Sequence, residues 1–184
     1  MTIAININNP EVSVGAENIA SREIAVWGGS GRLPVYDDME ATIVDSDVII
    51  NSGIYSNQGY EIEIPQGETE TFAIDTESIG IKRYDIVASE LSRTDSVETH
   101  TIKIIKGTAA INPVLPALVE GDFKGGEDLR QEAIHTLLID GTTITVASSA
   151  PILSGGHGGG DSGRTIYVQS AQPASPKTGD LWFW

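Results

Sequence analysis

Short runs in which apolar and polar residues alternate, separated by turn-forming residues, constrain this chain more than any other feature. Tyr60, Ile62 and Ile64 alternate with Glu61 and Glu63, which predicts a strand with one packed face and one acidic face directed to water. Similar β-rich runs lie at 41–44, 48–50, 69–75, 84–91, 97–106, 133–139 and 142–146, with a hairpin turn at Asp140-Gly141. Roughly six to eight short strands predict an all-β fold, an antiparallel β-sandwich of jelly-roll type.

One short helix is predicted before the strands. Small and apolar residues follow one another there at spacings that place them on one stripe of a helix, ended by Gly28-Gly29: Ala16, Ala20, Ile24 and Trp27. The whole chain divides into an N-terminal arm at 1–15, the β-sandwich module at 16–153, a glycine-rich linker at 154–163 and a short C-terminal docking segment at 164–184.

The charge of the chain excludes several classes of partner. With 11 basic and 26 acidic residues it carries a net charge of −15, so we expect its surface to repel nucleic acid. No run approaches the roughly 18 apolar residues of a membrane helix, and the first residues lack the basic start of a signal peptide, so no membrane insertion is expected. The absence of cysteine excludes disulfides and thiol chemistry.

One string resembles a catalytic motif. Gly160-Asp161-Ser162-Gly163 matches the letters around the nucleophile of chymotrypsin-like proteases, but only 21 residues follow it and His157 lies within a glycine run. That mechanism needs a base and a buried acid held against the serine. We therefore interpret the string as linker and predict no catalytic residue.

Metal sites are weighed and not predicted. His100 and His135 lie in predicted strands, where a lone histidine is most often a hydrogen-bonded structural residue. A three-histidine site on a trimer axis stays open as an alternative. The acidic loop from Gly121 to Asp128 fits solvated turns better than calcium, because it lacks regular ligand spacing. No metal and no cofactor is expected.

The order of several segments resembles a known family. The run Gly80-Ile81-Lys82-Arg83-Tyr84-Asp85-Ile86-Val87-Ala88 is similar to a "G-x-KRNDLIVA" strand, and residues 97–117 to a "VE-x-x-x-x-VIKGTPA-x-NPV-x-PA" stretch. Both occur in the N-terminal module of tail-tip, baseplate and tail-fibre proteins from phages and prophages of Gram-positive bacteria. Tyr84 and Ala109 depart from that pattern. Residues 166–183 resemble a "P-x-x-PKTGDLWF" unit of phage tail appendages.

The resemblance implies a virion structural protein and not an enzyme. Such a protein is made in the cytoplasm of the host bacterium, is released by lysis and lies at the tail tip or baseplate as a homotrimer attached to other tail proteins. Two alternatives stay open: a receptor-binding module for host cell-wall saccharide, and a glycan-cleaving enzyme, which would need two carboxylates at a set separation.

The predicted assembly contacts are apolar residues in acid-poor segments. A trimer would carry three times the charge of −15, so carboxylates should avoid its contact surfaces. The predicted contacts are Ile3, Ile5, Ile7, Trp27, Trp182, Phe183 and Trp184. The terminal aromatic residues suit either packing against a neighbouring chain, which we favour, or stacking on a sugar ring.

Overall fold

The computed structural model describes residues 20, 24, 26, 27, 29–95, 97–153, 166–168 and 181–183, the last two ranges through their backbone. Ala20, Ile24, Val26 and Trp27 have helical backbone, but the residues between them lie outside the described part, so the predicted N-terminal helix is not shown as an element. Within the described part, no helix has the length and apolar character needed to cross a membrane.

The described residues form twelve strands. Their bounds are β1 Gly31–Arg32, β2 Ala41–Val44, β3 Asp47–Ile50, β4 Gly53–Asn57, β5 Tyr60–Ile64, β6 Glu70–Ala73, β7 Lys82–Thr94, β8 Val97–Lys106, β9 Leu129–Asp140, β10 Thr143–Ser149, β11 Ile166–Val168 and β12 Leu181–Phe183.

The strands of residues 31–149 form three antiparallel sheets. The largest has the order β10-β9-β7-β8, and the others have the orders β1-β4-β5 and β2-β3-β6. Strands β11 and β12 form a separate parallel pair. This architecture confirms the predicted all-β, antiparallel, sandwich-like fold.

Strand β5 follows the predicted pattern. Ile64 is buried and Ile62 half-buried, whereas Glu61 and Glu63 are exposed. Strands β2 and β8 begin and end at the predicted residues. Alternation therefore located the half-buried strands correctly, because one face of each packs on the interior.

The β9–β10 hairpin turn lies one residue later than predicted. Asp140 is the last residue of β9 and pairs with Thr143, so Gly141 and Thr142 form the two-residue turn. Gly141 has a φ of 58°, the left-handed conformation that glycine adopts without strain. Asp140 also pairs with Lys82 on β7, whose ammonium lies 2.7 Å from the Asp140 carboxylate.

The core joins all three sheets through the central strands β7 and β9. Val87 on β7 and Leu137 on β9 are fully buried, and residues of the smaller sheets pack with them. The cluster consists of Met39, Val48, Ile50, Tyr55, Ile64, Ile74, Val87, Ile134, Leu137, Ile139 and Ile144. Ile134 is the extra residue of a β-bulge, since Val87 pairs with His135 and Ala88 with Ala133.

Replacing Leu137 with alanine tests this account of the core. We expect the Leu137→Ala variant to lose about 3 kcal/mol of unfolding free energy, because it removes buried methyl groups and leaves a cavity. Val97, which is 61% exposed, provides the control, and Val97→Ala should stay within about 0.5 kcal/mol of the parent. Urea denaturation followed by circular dichroism measures both. Equal losses in the two variants would contradict the assignment of Leu137 to the core.

Candidate assembly surface

The connection between β8 and β9, residues 107–128, is unusually long and contains no strand. Irregular connections longer than about 15 residues are uncommon inside compact domains and are often functional. Its backbone is nevertheless attached to the sheet at several points. A long irregular segment held in this way is a candidate for contact with another molecule.

The start of the connection is tied to β7. The Lys82 N–H donates to the Ala110 carbonyl, and the Ala110 N–H donates back to Lys82, each over 2.8 Å. Further along, the Gln131 N–H donates to the Val119 carbonyl at 2.7 Å, and the Val119 N–H donates to the Gln131 side-chain oxygen at 3.1 Å. Residues 111–118 are therefore suspended between two fixed points on β7 and β9.

A buried ion pair fixes the point where the connection leaves β8. Arg83 and Asp85 are each about 1% exposed, and the guanidinium donates to both carboxylate oxygens, over 2.7 and 3.0 Å. The same carboxylate accepts the Gly107 N–H at 3.0 Å, and Arg83 also bonds the Glu77 carboxylate and the Asp75 carbonyl. Arg83 and Asp85 are two residues apart on β7, so they share one face of the strand.

Gly107 fits this position because it has no side chain. A Cβ atom there would lie 2.1 Å from the Tyr84 carbonyl oxygen, which is far below any normal contact. The KRYD and KGT segments that carry the family resemblance are thus in direct contact.

The suspended segment and its anchor Val119 present aliphatic side chains to solvent. Ile111 is 71% exposed, Val114 73%, Leu115 57% and Val119 44%. Residues 107–119 contain no charged side chain, although charged residues make up 20% of the chain. We call residues 107–119 the uncharged strip. Several exposed aliphatic side chains in one uncharged segment, followed by an acidic loop, are typical of a protein contact site.

The acidic loop that follows the strip is anchored by one aromatic ring. Phe123 is fully buried, with the Tyr60 ring 5.3 Å away edge to face and the Arg93 guanidinium 4.5 Å above its centroid. Asp122 accepts the Gly125 N–H at 2.9 Å. The carboxylate therefore shapes a turn, as the loop composition predicts.

A chain of hydrogen-bonded polar groups crosses the interior and connects strands β4, β7 and β8. The Asn57 amide donates to the Ser89 hydroxyl at 3.0 Å, and that hydroxyl lies 2.7 Å from Nε2 of His100. Burial lowers the pKa of His100 to about 4, although the Glu61 backbone acts in the opposite direction. Asn57 and Ser89 are fully buried, so Ser89 is placed as a structural partner and not as an accessible nucleophile.

The polar chain continues to a carboxylate between the sheets. Nε of Arg130 lies 3.3 Å from the Asn57 side-chain oxygen and 2.8 Å from Glu132. Ser30 and Tyr55 donate their hydroxyls to the Glu132 carboxylate over 3.0 and 3.3 Å. Burial, together with the charge of Glu132, raises the pKa of Tyr55, so this hydroxyl stays a donor. Asn57, Ser89, Arg130 and Glu132 each bond another member of the chain, which suits a structural role.

His135 on β9 is buried, and its ring bonds residues outside this polar chain. Nε2 lies 2.7 Å from the Met39 carbonyl and Nδ1 lies 2.8 Å from the Ser149 hydroxyl. Because a carbonyl only accepts, Nε2 carries the proton and Nδ1 accepts from Ser149. Burial lowers the pKa of His135 to about 4, with the Met39 carbonyl opposing and Arg32 assisting. The ring is therefore neutral at pH 7.

Most of the predicted assembly contacts lie outside the part of the chain that the structure describes. Ile3, Ile5, Ile7 and Trp184 lie outside the described residues, as do the linker and its Gly160–Gly163 string. Trp27 is half-buried. Trp182 and Phe183 lie in β12, where the backbone alone is described. Across the part of the chain that is described, no group of three or more metal-ligating side chains is arranged to hold an ion.

Sequence reasoning missed the exposed strip. Pro113 and Pro116 correctly predict an extended connection, but aliphatic residues are ordinarily expected to be buried. The available signal was a long uncharged run in an acidic chain. It would have indicated a contact surface only in combination with the exposure that the fold imposes.

No family model matches the sequence, and no curated protein matches it at a significant level. The residues that carry the resemblance and the surface described above are therefore the basis for any functional proposal.

A double-mutant cycle tests the role of the buried ion pair. Arg83→Met or Asp85→Leu alone should cost about 3–5 kcal/mol of unfolding free energy, because each leaves a buried charge without its partner. The double variant should lose clearly less than the sum of the two single losses. Urea denaturation measures all four proteins. Additive losses would mean that the two side chains do not depend on each other.

The buried histidines predict an acid-sensitive fold. The folded pKa of His135, about 4, lies below its unfolded value of 6.5, so the unfolded chain binds a proton more readily. The stabilisation is complete above pH 6.5 and is lost as the pH falls towards 4, by about 3 kcal/mol for this group.

Urea titrations at pH 7.5, 6.5, 5.5 and 4.5 measure this dependence. His135→Gln should reduce its slope between pH 6.5 and 4.5 by about half, because His100, whose pKa is also about 4, still contributes. Tyr36→Phe, at an exposed position, is a control that should keep the parent slope. An unchanged slope in His135→Gln would show that another group is responsible.

Proposed function

We propose that this chain is a structural protein of a phage tail tip, baseplate or tail fibre that acts by oligomeric assembly and attachment to neighbouring tail proteins. The uncharged strip is the observation that carries the proposal. Ordered, exposed aliphatic side chains are costly to leave in water unless another surface covers them. A protein that works by assembly uses such a surface directly.

The charge distribution supports contact between copies of the chain. Each copy carries a charge of −15, so two copies repel each other wherever acidic faces meet. The strip contributes no charge to the contact, and its apolar side chains lose water on burial. A homotrimer built through the strip agrees with the resemblance to phage tail modules, and virion location follows from the same resemblance.

The geometry of the described residues gives catalysis no support. Ser89 is buried, Glu132 is bonded to Arg130 and to two hydroxyl groups, and His135 is enclosed. Each of these groups already bonds other residues of the protein, so none is poised towards a substrate. We therefore propose a non-enzymatic role.

Solution mass tests the assembly role. We expect the parent protein to form a trimer of 19.5 kDa chains, and the variant Ile111→Ser/Val114→Ser/Leu115→Ser to remain a folded monomer. The control Val44→Ser/Val97→Ser changes two other exposed aliphatic residues and should stay trimeric. Light scattering after size-exclusion chromatography measures the mass, and circular dichroism checks the fold. A parent monomer, or a trimer in all three proteins, would contradict assembly through the strip.

Particle imaging tests the identity of the assembly. An antibody against the chain should label the tail tips of purified phage particles in negative-stain images. A protein that is monomeric in solution and absent from particles would overturn the proposed function.

A further inference from the structure

A cleft of about 270 Å³ opens on the face of the molecule where strands β5, β6 and β8 approach one another. We call it the edge cleft. Its lining residues are Ile62, Glu63, Ile64, Glu70, His100, Thr101 and Ile102. The volume is slightly below the roughly 300 Å³ at which small-molecule pockets begin, and it suits a few side chains of an extended segment.

All three strands around the edge cleft are terminal strands of their sheets. Strand β5 ends the sheet β1-β4-β5, β6 ends β2-β3-β6, and β8 ends β10-β9-β7-β8. A terminal strand leaves alternate N–H and C=O groups without a partner strand, which makes it a template for another strand. Edges of three sheets meeting at one cleft are well placed to accept an added strand.

The side chains of the edge cleft combine aliphatic walls with negative charge. Ile64 is 5% exposed, and Ile62 and Ile102 are half-buried beside it. Glu63 and Glu70 are exposed at the rim, and no cation pairs with either among the described residues. Tyr36 donates its hydroxyl to Glu63 at 3.1 Å, which helps to hold that carboxylate in place.

We propose that the edge cleft binds an extended segment of a partner protein that carries a lysine or arginine between small β-branched residues. Its backbone would pair with the edge of β8 or β5, its apolar side chains would contact Ile62, Ile64 and Ile102, and its basic group would lie between Glu63 and Glu70. This is recognition by strand addition, in which the backbone supplies affinity and alternate side chains supply specificity. The proposal rests on the cleft and not on the identity of the particle.

The negative charge of the edge cleft favours a basic segment over other occupants. A basic segment gains from the two carboxylates and from the overall charge of −15, which also accelerates its approach. The uncharged N-terminal residues 1–10 of a second copy alternate suitably but offer no counter-charge. The residues that line the cleft include no tryptophan, tyrosine or phenylalanine, the usual platforms for a sugar.

Peptide binding tests the proposal on the full-length protein. The probe is the capped nine-residue peptide STVTKVTVS, compared with the same peptide carrying glutamate at its centre and with the peptide of residues 2–10 of this chain. We expect the lysine peptide to bind, and the glutamate peptide to bind at least about tenfold more weakly at low salt. A lysine peptide N-methylated at every second residue should lose binding, because it cannot pair with a strand edge.

Two charge-matched variants locate the site. Glu63→Gln/Glu70→Gln should weaken binding of the lysine peptide about five- to tenfold, whereas Glu120→Gln/Asp45→Asn, with the same change in net charge, should leave it within about twofold. Fluorescence anisotropy with a labelled peptide gives the affinities. Equal weakening in both variants, equal binding of the lysine and glutamate peptides, or binding of the residue 2–10 peptide alone would overturn the proposal.

The strip variants separate this proposal from the proposed function. Ile111→Ser/Val114→Ser/Leu115→Ser should bind the lysine peptide as the parent does, because the strip does not line the edge cleft. Failure of the peptide experiment with normal trimer formation would remove the cleft proposal alone. Normal peptide binding by a parent monomer would remove the assembly proposal alone.

Discussion

The bidentate ion pair of Arg83 with Asp85 is the interaction on which the rest of the architecture depends. It lies within the central strand β7, and it reaches the loop before that strand through Glu77 and Asp75 and the start of the long connection through Gly107. Two separate segments are thereby fixed to one strand. A buried ion pair is an expensive way to gain stability, but it requires one specific arrangement of its partners. That requirement sets where the uncharged strip leaves the sheet.

The polar chain from Ser30 to His100 plays a similar part between the sheets. It joins β4 to β7 through Asn57 and Ser89, and it joins β9 to the residues before β1 through Glu132 and Ser30. Aliphatic packing alone tolerates small shifts of one sheet over another, whereas directional hydrogen bonds do not. The sheets therefore have a defined relative position, which in turn defines the edges that meet at the edge cleft.

The sequence predicted those parts of the fold that local patterns encode. Strands with one solvent-exposed face, such as β5, show alternating apolar and polar residues, and β8 shows a run of β-branched residues. Strand β4 was not predicted as a separate element because four of its five residues are buried, so its pattern does not alternate. The turn after β9 was misplaced by one residue because the contact between Asp140 and Lys82 is long-range.

Partners such as Asn57 and His100 are distant along the chain, so no spacing rule connects them. The same holds for the strip, whose exposure depends on the whole fold.

The suspension of the strip between two anchors has a consequence for how this surface can vary. Closing a longer loop between fixed ends costs little, about 0.6 kcal/mol for each doubling of its length. The anchors at Ala110 and Val119 are hydrogen-bonded to the sheet, whereas the residues between them contribute little to the core. Under the proposed function, insertions and substitutions between the anchors would give the same scaffold a different partner. The residues that make the domain fold would then be separate from the residues that select what it joins.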